Sequence, residues 1–102
     1  MVSPHKKQIA RRNIVGERVK HARQQFDPPL TQDQLSGKLA AEDVQLDRVA
    51  IAKIESGMRS VFDFEVRALA SVLRVDVKWL LGITPGPLDR TRKNSKAERT
   101  RT

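Results

Sequence analysis

The chain contains no cysteine, which excludes disulfides and thiolate-bound metals and makes a reducing cytoplasm the expected compartment. It has no apolar run near the roughly 18 to 20 residues needed to cross a bilayer, and its charged beginning lacks the apolar stretch of a signal peptide. Its two histidines, His5 and His21, are 16 residues apart, a separation unlike metal-ligand spacing. The five glycines are scattered, so no phosphate-cradling loop is present. The acidic pairs Glu42-Asp43 and Asp63-x-Glu65 fall in a predicted loop and at a predicted helix start, where anions are favoured without catalysis. A soluble, intracellular protein is expected. No enzyme activity, cofactor, metal site or small-molecule effector is indicated.

What is present is charge, unevenly placed. The 102 residues carry a formal charge of +8, which points to a polyanionic partner. Residues 1–30 hold seven Lys/Arg and two acids, residues 31–83 seven and eight, and residues 84–102 six and two. The flanks therefore supply sequence-independent attraction to phosphate, while the near-neutral centre must act through a few placed cations. The length suits one small domain with a single core. The expected organisation is a basic arm over 1–8, a folded domain over 9–83 and a basic, disordered tail over 84–102.

Apolar spacing predicts five helices and no strand. The first is expected from about Lys7 to Gln25, with Val15, Val19, Ala22 and Phe26 on one side. Asp27-Pro28-Pro29 ends it, because consecutive prolines cannot continue a helix. Thr31 caps a second helix, from Gln32 to about Ala41, that buries Leu35 and Leu39. A third follows Asp47. Asp63 is expected to cap a fourth carrying Val66, Leu69, Ala70 and Leu73, and Asp76 a short fifth that holds Val77, Trp79, Leu80 and Leu81 and stops at Gly82. Trp79 is expected in the core rather than as a stacking platform for single-stranded nucleic acid.

The third helix is the most informative segment. Asp47 is a good N-cap and Gly57 a natural stop. Ile51 and Ile54 share one side, while Arg48, Val49, Ala52 and Lys53 occupy the other. Two long cations among small residues allow close approach to a second surface, as a helix in a DNA major groove requires.

From about Val15 to Gly82 the sequence resembles the XRE, or phage-repressor, Cro-like class of helix-turn-helix domains. The resemblance rests on Val15-Gly16-Glu17-Arg18-Val19 through Arg23, on Leu30-Thr31-Gln32-Asp33-Gln34-Leu35, on Ile51-Ala52-Lys53-Ile54-Glu55-Ser56-Gly57, and on Leu69-Ala70 through Val77-Lys78-Trp79-Leu80-Leu81. It covers about two thirds of the chain. It implies an all-α, lambda-repressor-like bundle of five helices that binds double-stranded DNA with its third helix, and the expected role is a transcriptional regulator that acts as a repressor.

Carried over by position, the resemblance makes Arg48, Val49, Ala52 and Lys53 base-facing and Gln32 and Arg59 phosphate-binding, and makes Arg23 and Glu55 an internal ion pair. Arg48 or Lys53 can donate to guanine O6 and N7, and Val49 or Ala52 can pack on a thymine methyl. From charge alone, Lys6 and Lys7, with Arg11 and Arg12, form an arm or helix end along the DNA backbone. A membrane-surface role for that helix would require the apolar face that Val15, Val19 and Ala22 give to the core. The family's tight glycine turn is replaced by Ala40 and about five further residues, Ala41 to Gln45, whose Glu42 and Asp43 would repel phosphate. Gly37 lies inside a helix, and Arg74 stands where a helix-ending glycine is usual. A module this small normally needs two copies on a two-fold site for useful specificity. A homodimer is therefore expected, at least on DNA, using the bundle itself. The alternatives are an antitoxin-like or adaptor protein-interaction module and an RNA-binding protein.

Overall fold

The computed structural model describes residues 10–85, and within them local side-chain chemistry fixes where most helices begin. Five helices are formed, α1 Gly16–Gln24, α2 Gln32–Ala40, α3 Arg48–Glu55, α4 Asp63–Leu73 and α5 Val77–Leu80, with no strand among the described residues. Thr31 and Gln34 cap α2 reciprocally: Thr31 Oγ1 accepts from Gln34 N at 3.0 Å, and Gln34 Oε1 accepts from Thr31 N at 2.8 Å, satisfying two otherwise unpaired donors. Asp47 accepts from Ala50 N at 2.8 Å to start α3, and Asp76 from Lys78 N at 2.7 Å to start α5. Among the described residues, no helix is long and apolar enough to cross a membrane.

The helices enclose one core. Val15, Val19 and Ala22 from the α1 region meet Leu35 and Leu39 of α2, Ile51 and Ile54 of α3, Leu69, Ala70 and Leu73 of α4, and Trp79 and Leu80 of α5. Each fully buried Leu or Ile contributes about 1.5–3 kcal/mol of transfer free energy. α3 packs on both α1 and α2, while α4 packs on α1, α2 and α5. The third helix is thus held from two sides with its remaining face outward. Trp79 is buried, and the Arg18 guanidinium lies 4.8 Å from its ring centroid. Arg18 Nη1 also donates to the Trp79 carbonyl at 2.9 Å.

Two helix starts differ from the sequence-based expectation. The first helix begins at Gly16 rather than near Lys7, and residues 7–9 lie outside the described residues. Asn13 sets this start, its Oδ1 accepting from Val15 N at 3.1 Å and Gly16 N at 2.7 Å. Its Nδ2 donates to the carbonyls of Ile54 and Arg59 at 3.0 and 2.8 Å. Residues 11–13 consequently form a non-helical strap across the end of α3, where Arg12 N donates to Gly57 O at 2.8 Å and the Arg11 guanidinium to the carbonyls of Ser56 and Glu55 at 3.2 and 3.3 Å. Close contact here requires Gly16, since a Cβ would fall on the Ile54 carbonyl oxygen. Gly57, at φ 83°, lies in the left-handed region.

The start of α4 also differs from the expected one. Asp63 is its first residue rather than its cap, and Phe62 occupies the N-cap position. Glu65 reaches back instead, accepting from Phe62 N at 2.9 Å.

The connection between α2 and α3 is a structured helix end followed by a short apolar segment. Asp43 adopts φ 65°, Val44 N donates to Leu39 O at 3.0 Å, and Asp43 N to Ala40 O at 3.0 Å. These bonds form the left-handed termination that glycine commonly supplies. Val44 and Leu46 then turn into the core. Arg74 closes α4 in the same way at φ 62°, with Val75 N donating to Ala70 O at 3.0 Å.

A side chain in this region costs roughly 1 kcal/mol, so Arg74→Gly is expected to raise the unfolding free energy by about that amount, seen as a higher denaturation midpoint at unchanged slope. Gly37 is exposed and helical, and a Cβ there would touch nothing within 4 Å. Gly37→Ala should add about 1 kcal/mol. Urea titrations check both, and a fall in midpoint for either would contradict the assigned backbone conformation.

Candidate nucleic-acid interface

The candidate surface is built on the two faces of α3. Ile51, Ile54 and Glu55 face inward and are buried, while Arg48 and Lys53 are exposed, Val49 is 52% exposed and Ala52 is half-buried. The four residues expected to face bases thus share the outward side of one helix. The outcome follows from spacing, because Ile51 and Ile54 can enter the core only by turning positions 48, 49, 52 and 53 away from it.

Glu55 fixes this helix to its neighbours. Its Oε2 accepts from Arg23 Nε at 2.7 Å and its Oε1 from Arg23 Nη2 at 2.9 Å, a bidentate pair between buried side chains. Oε1 also accepts from Gln32 Nε2 at 3.0 Å, and Arg23 Nη1 donates to Leu30 O at 2.8 Å. One carboxylate therefore joins α1, the start of α2 and the end of α3. Gln32, expected to hold a phosphate, gives one amide N–H to this internal bond. It still stands at the first position of α2, where unpaired backbone N–H groups favour an anion.

Arg59 also has an internal partner. Its Nη1 donates to Glu65 Oε1 at 2.9 Å and to Ser60 O at 2.8 Å, and its Nη2 to Glu65 Oε2 at 3.2 Å. Burial pushes the Glu65 carboxyl up, but hydrogen bonds from Arg59 and Phe62 N and the Arg59 charge outweigh it, leaving the group below its ordinary value. The hydrogen bond to Glu65 raises Arg59 in turn. Arg59 thereby ties the loop after α3 to the start of α4, a task its position in the sequence did not disclose. Lys6 and Lys7 lie outside the described residues.

Several side chains that shape the surface escape periodicity analysis. Asn13 is a common capping type, but the apolar spacing from Val15 onward carries a predicted helix through it. Glu65 accepts from Phe62 N, but the Phe62 side chain can accept nothing in return, so the Ser/Thr half of the usual capping signal is missing. Asp33, in the first turn of α2, has its Oδ1 3.6 Å from Arg48 Nε.

Beyond α3 the described surface exposes Met58, Phe62 and Phe64, the two phenylalanine rings stacked with centroids 5.7 Å apart. Among the described residues no group of three or more His, Cys, Asp or Glu is arranged to hold a metal ion. Comparison of the chain with protein-family models, characterised proteins and solved structures finds no match.

Glu55→Ala strands the buried Arg23 charge and is expected to cost about 3–5 kcal/mol, whereas replacing both partners with apolar residues of similar size should cost far less. Equilibrium unfolding of the single and double variants checks this, and equal losses would remove the pair's special status. Glu65 also predicts a pH dependence. A carboxyl held below its ordinary value stabilises the fold above its unfolded-state pKa and loses that contribution as pH falls through the lower native value. Glu65→Gln should therefore be less stable than the parent at neutral pH, with the gap closing below the ordinary carboxylate range. A gap that stays constant on acidification would contradict the assignment.

Proposed function

We propose that this chain is a sequence-specific, duplex-DNA-binding transcriptional regulator, acting as a repressor, with α2 and α3 as a helix-turn-helix and α3 in the major groove. The observation that carries the reading is the outward face of α3, with Arg48 and Lys53 exposed beside Val49 and Ala52 on a helix anchored by Ile51, Ile54 and Glu55. Arginine or lysine on guanine O6 and N7, and apolar contact with a thymine methyl, are the pairings such a face can make. The resemblance to phage-repressor domains, with its Gln32 and Glu55 positions, supports the same orientation.

The remaining features fit this reading. The basic flanks, including Lys6 and Lys7, attract the phosphate backbone without reading sequence. Gln32 at the start of α2 and Arg59 in the loop after α3 are the positions that the resemblance assigns to phosphate, Arg59 sharing its guanidinium with Glu65. A single α3 offers a small interface, so two copies on a two-fold site one DNA turn apart supply the specificity. Such a protein works at the nucleoid, in the cytoplasm.

A second reading, a protein-interaction module of the antitoxin or adaptor kind, draws on the exposed Phe62 and Phe64 pair. Co-purification of a stoichiometric protein partner, with no salt-sensitive shift of duplex DNA, would favour it.

Selection of bound sequences from random duplex DNA, followed by titration of the selected site and a substituted site, tests the main reading. The wild type should enrich one motif, and Arg48→Ala should lose about 1–3 kcal/mol of discrimination at one base pair. Equal loss on every sequence would argue against base reading by Arg48, and stronger binding to competing RNA than to duplex DNA would argue against the DNA reading itself.

A further inference from the structure

The exposed surface beside α3 contains an acid in an unfavourable place for a protein that approaches phosphates. Asp33 lies in the first turn of α2, and its Oδ1 stands 3.6 Å from Nε of Arg48, the first residue of α3. Both side chains are exposed, at 75% and 60%. A surface pair of this kind contributes little to folding. Its consequence lies in what it does to the arginine.

A guanidinium has five N–H donors in one plane, one on Nε and four on the two Nη atoms. With Nε the nitrogen beside Asp33, the two Nη groups make up the other end of the guanidinium plane. That end can fork onto guanine O6 and N7. Arginine loses much rotamer freedom when it docks, and a side chain held beforehand loses less. The carboxylate therefore favours one presentation of Arg48 while weakening attraction to any phosphate nearby.

We propose that Asp33 is a specificity-determining residue of the α3 surface, acting as a positioning residue that presents the Nη edge of Arg48 to a guanine; this rests on the DNA-reading role proposed for α3. Two effects of opposite sign follow. Removing Asp33 relaxes discrimination at the guanine read by Arg48, and it strengthens binding to DNA of unrelated sequence by removing a negative charge. A purely local role in α2, through the favourable position of an acid at a helix N-terminus, would alter stability and leave the discrimination ratio unchanged.

The test measures dissociation constants of the full-length wild type, Asp33→Ala, Arg48→Ala and the double variant. Each is titrated at one salt concentration against a selected duplex, the same duplex with the Arg48-dependent base pair replaced, and an unrelated duplex. Asp33→Ala is expected to lower the ratio between the first two sites by roughly two- to fivefold, the range of an exposed ion pair, while binding the unrelated duplex more tightly. In the Arg48→Ala background, Asp33→Ala should not change the ratio further. An unchanged ratio for Asp33→Ala, with Arg48→Ala still losing discrimination, overturns the role of Asp33 alone. A wild type that prefers no duplex sequence overturns the reading of α3 on which it rests.

Discussion

The Glu55 carboxylate is the interaction on which the placement of the candidate surface depends. It accepts two hydrogen bonds from Arg23 and one from Gln32, so a single buried group sets α3 against α1 and against the start of α2. A pair of this kind adds little net stability over an apolar replacement, because both charges give up their hydration. Directional bonds at each oxygen nevertheless define where α3 sits and how it is turned. At the same end of α3, Asn13 and Arg11 bind the carbonyls of Ile54, Glu55, Ser56 and Arg59. The C-terminal end of the helix is thus fastened on two sides, while Arg48 and Val49 at its other end remain exposed.

This construction separates positioning from contact. Ile51, Ile54 and Glu55 are committed to the interior, while Arg48, Val49 and Lys53 on the opposite face are exposed. Substitutions at Arg48 or Lys53 should therefore change what the surface binds without unfolding it, whereas substitutions at Glu55 act through helix placement. Arg59 belongs to both classes, since the guanidinium that would meet a phosphate also holds Glu65.

The helices were legible in the sequence wherever apolar spacing and a side-chain cap agreed. Thr31, Asp47 and Asp76 each precede a helix that forms as its pattern predicts, and the two faces of α3 follow directly from Ile51 and Ile54. The start of α1 was hidden because Asn13 acts through contacts with Ile54 and Arg59, more than 40 positions away, and no local pattern announces such a strap. The connection before α3 reads as a surface loop from its acids, yet Val44 and Leu46 are buried. Their alternate spacing was the available signal, overshadowed by Glu42 and Asp43. The backbone also departs from residue preference, because Asp43 and Arg74 occupy left-handed positions that glycine favours.

The central claim is that the outward face of α3 reads duplex DNA from the major groove, and guanine N7 is an atom exposed only there. Methylation protection by dimethyl sulfate on a selected duplex therefore tests it most directly. The account predicts that the wild type shields N7 of particular guanines in two patches about one helical turn apart, and that Arg48→Ala leaves one guanine in each patch open at protein concentrations that still saturate the site. Unchanged N7 reactivity on a duplex that the protein demonstrably saturates would contradict it.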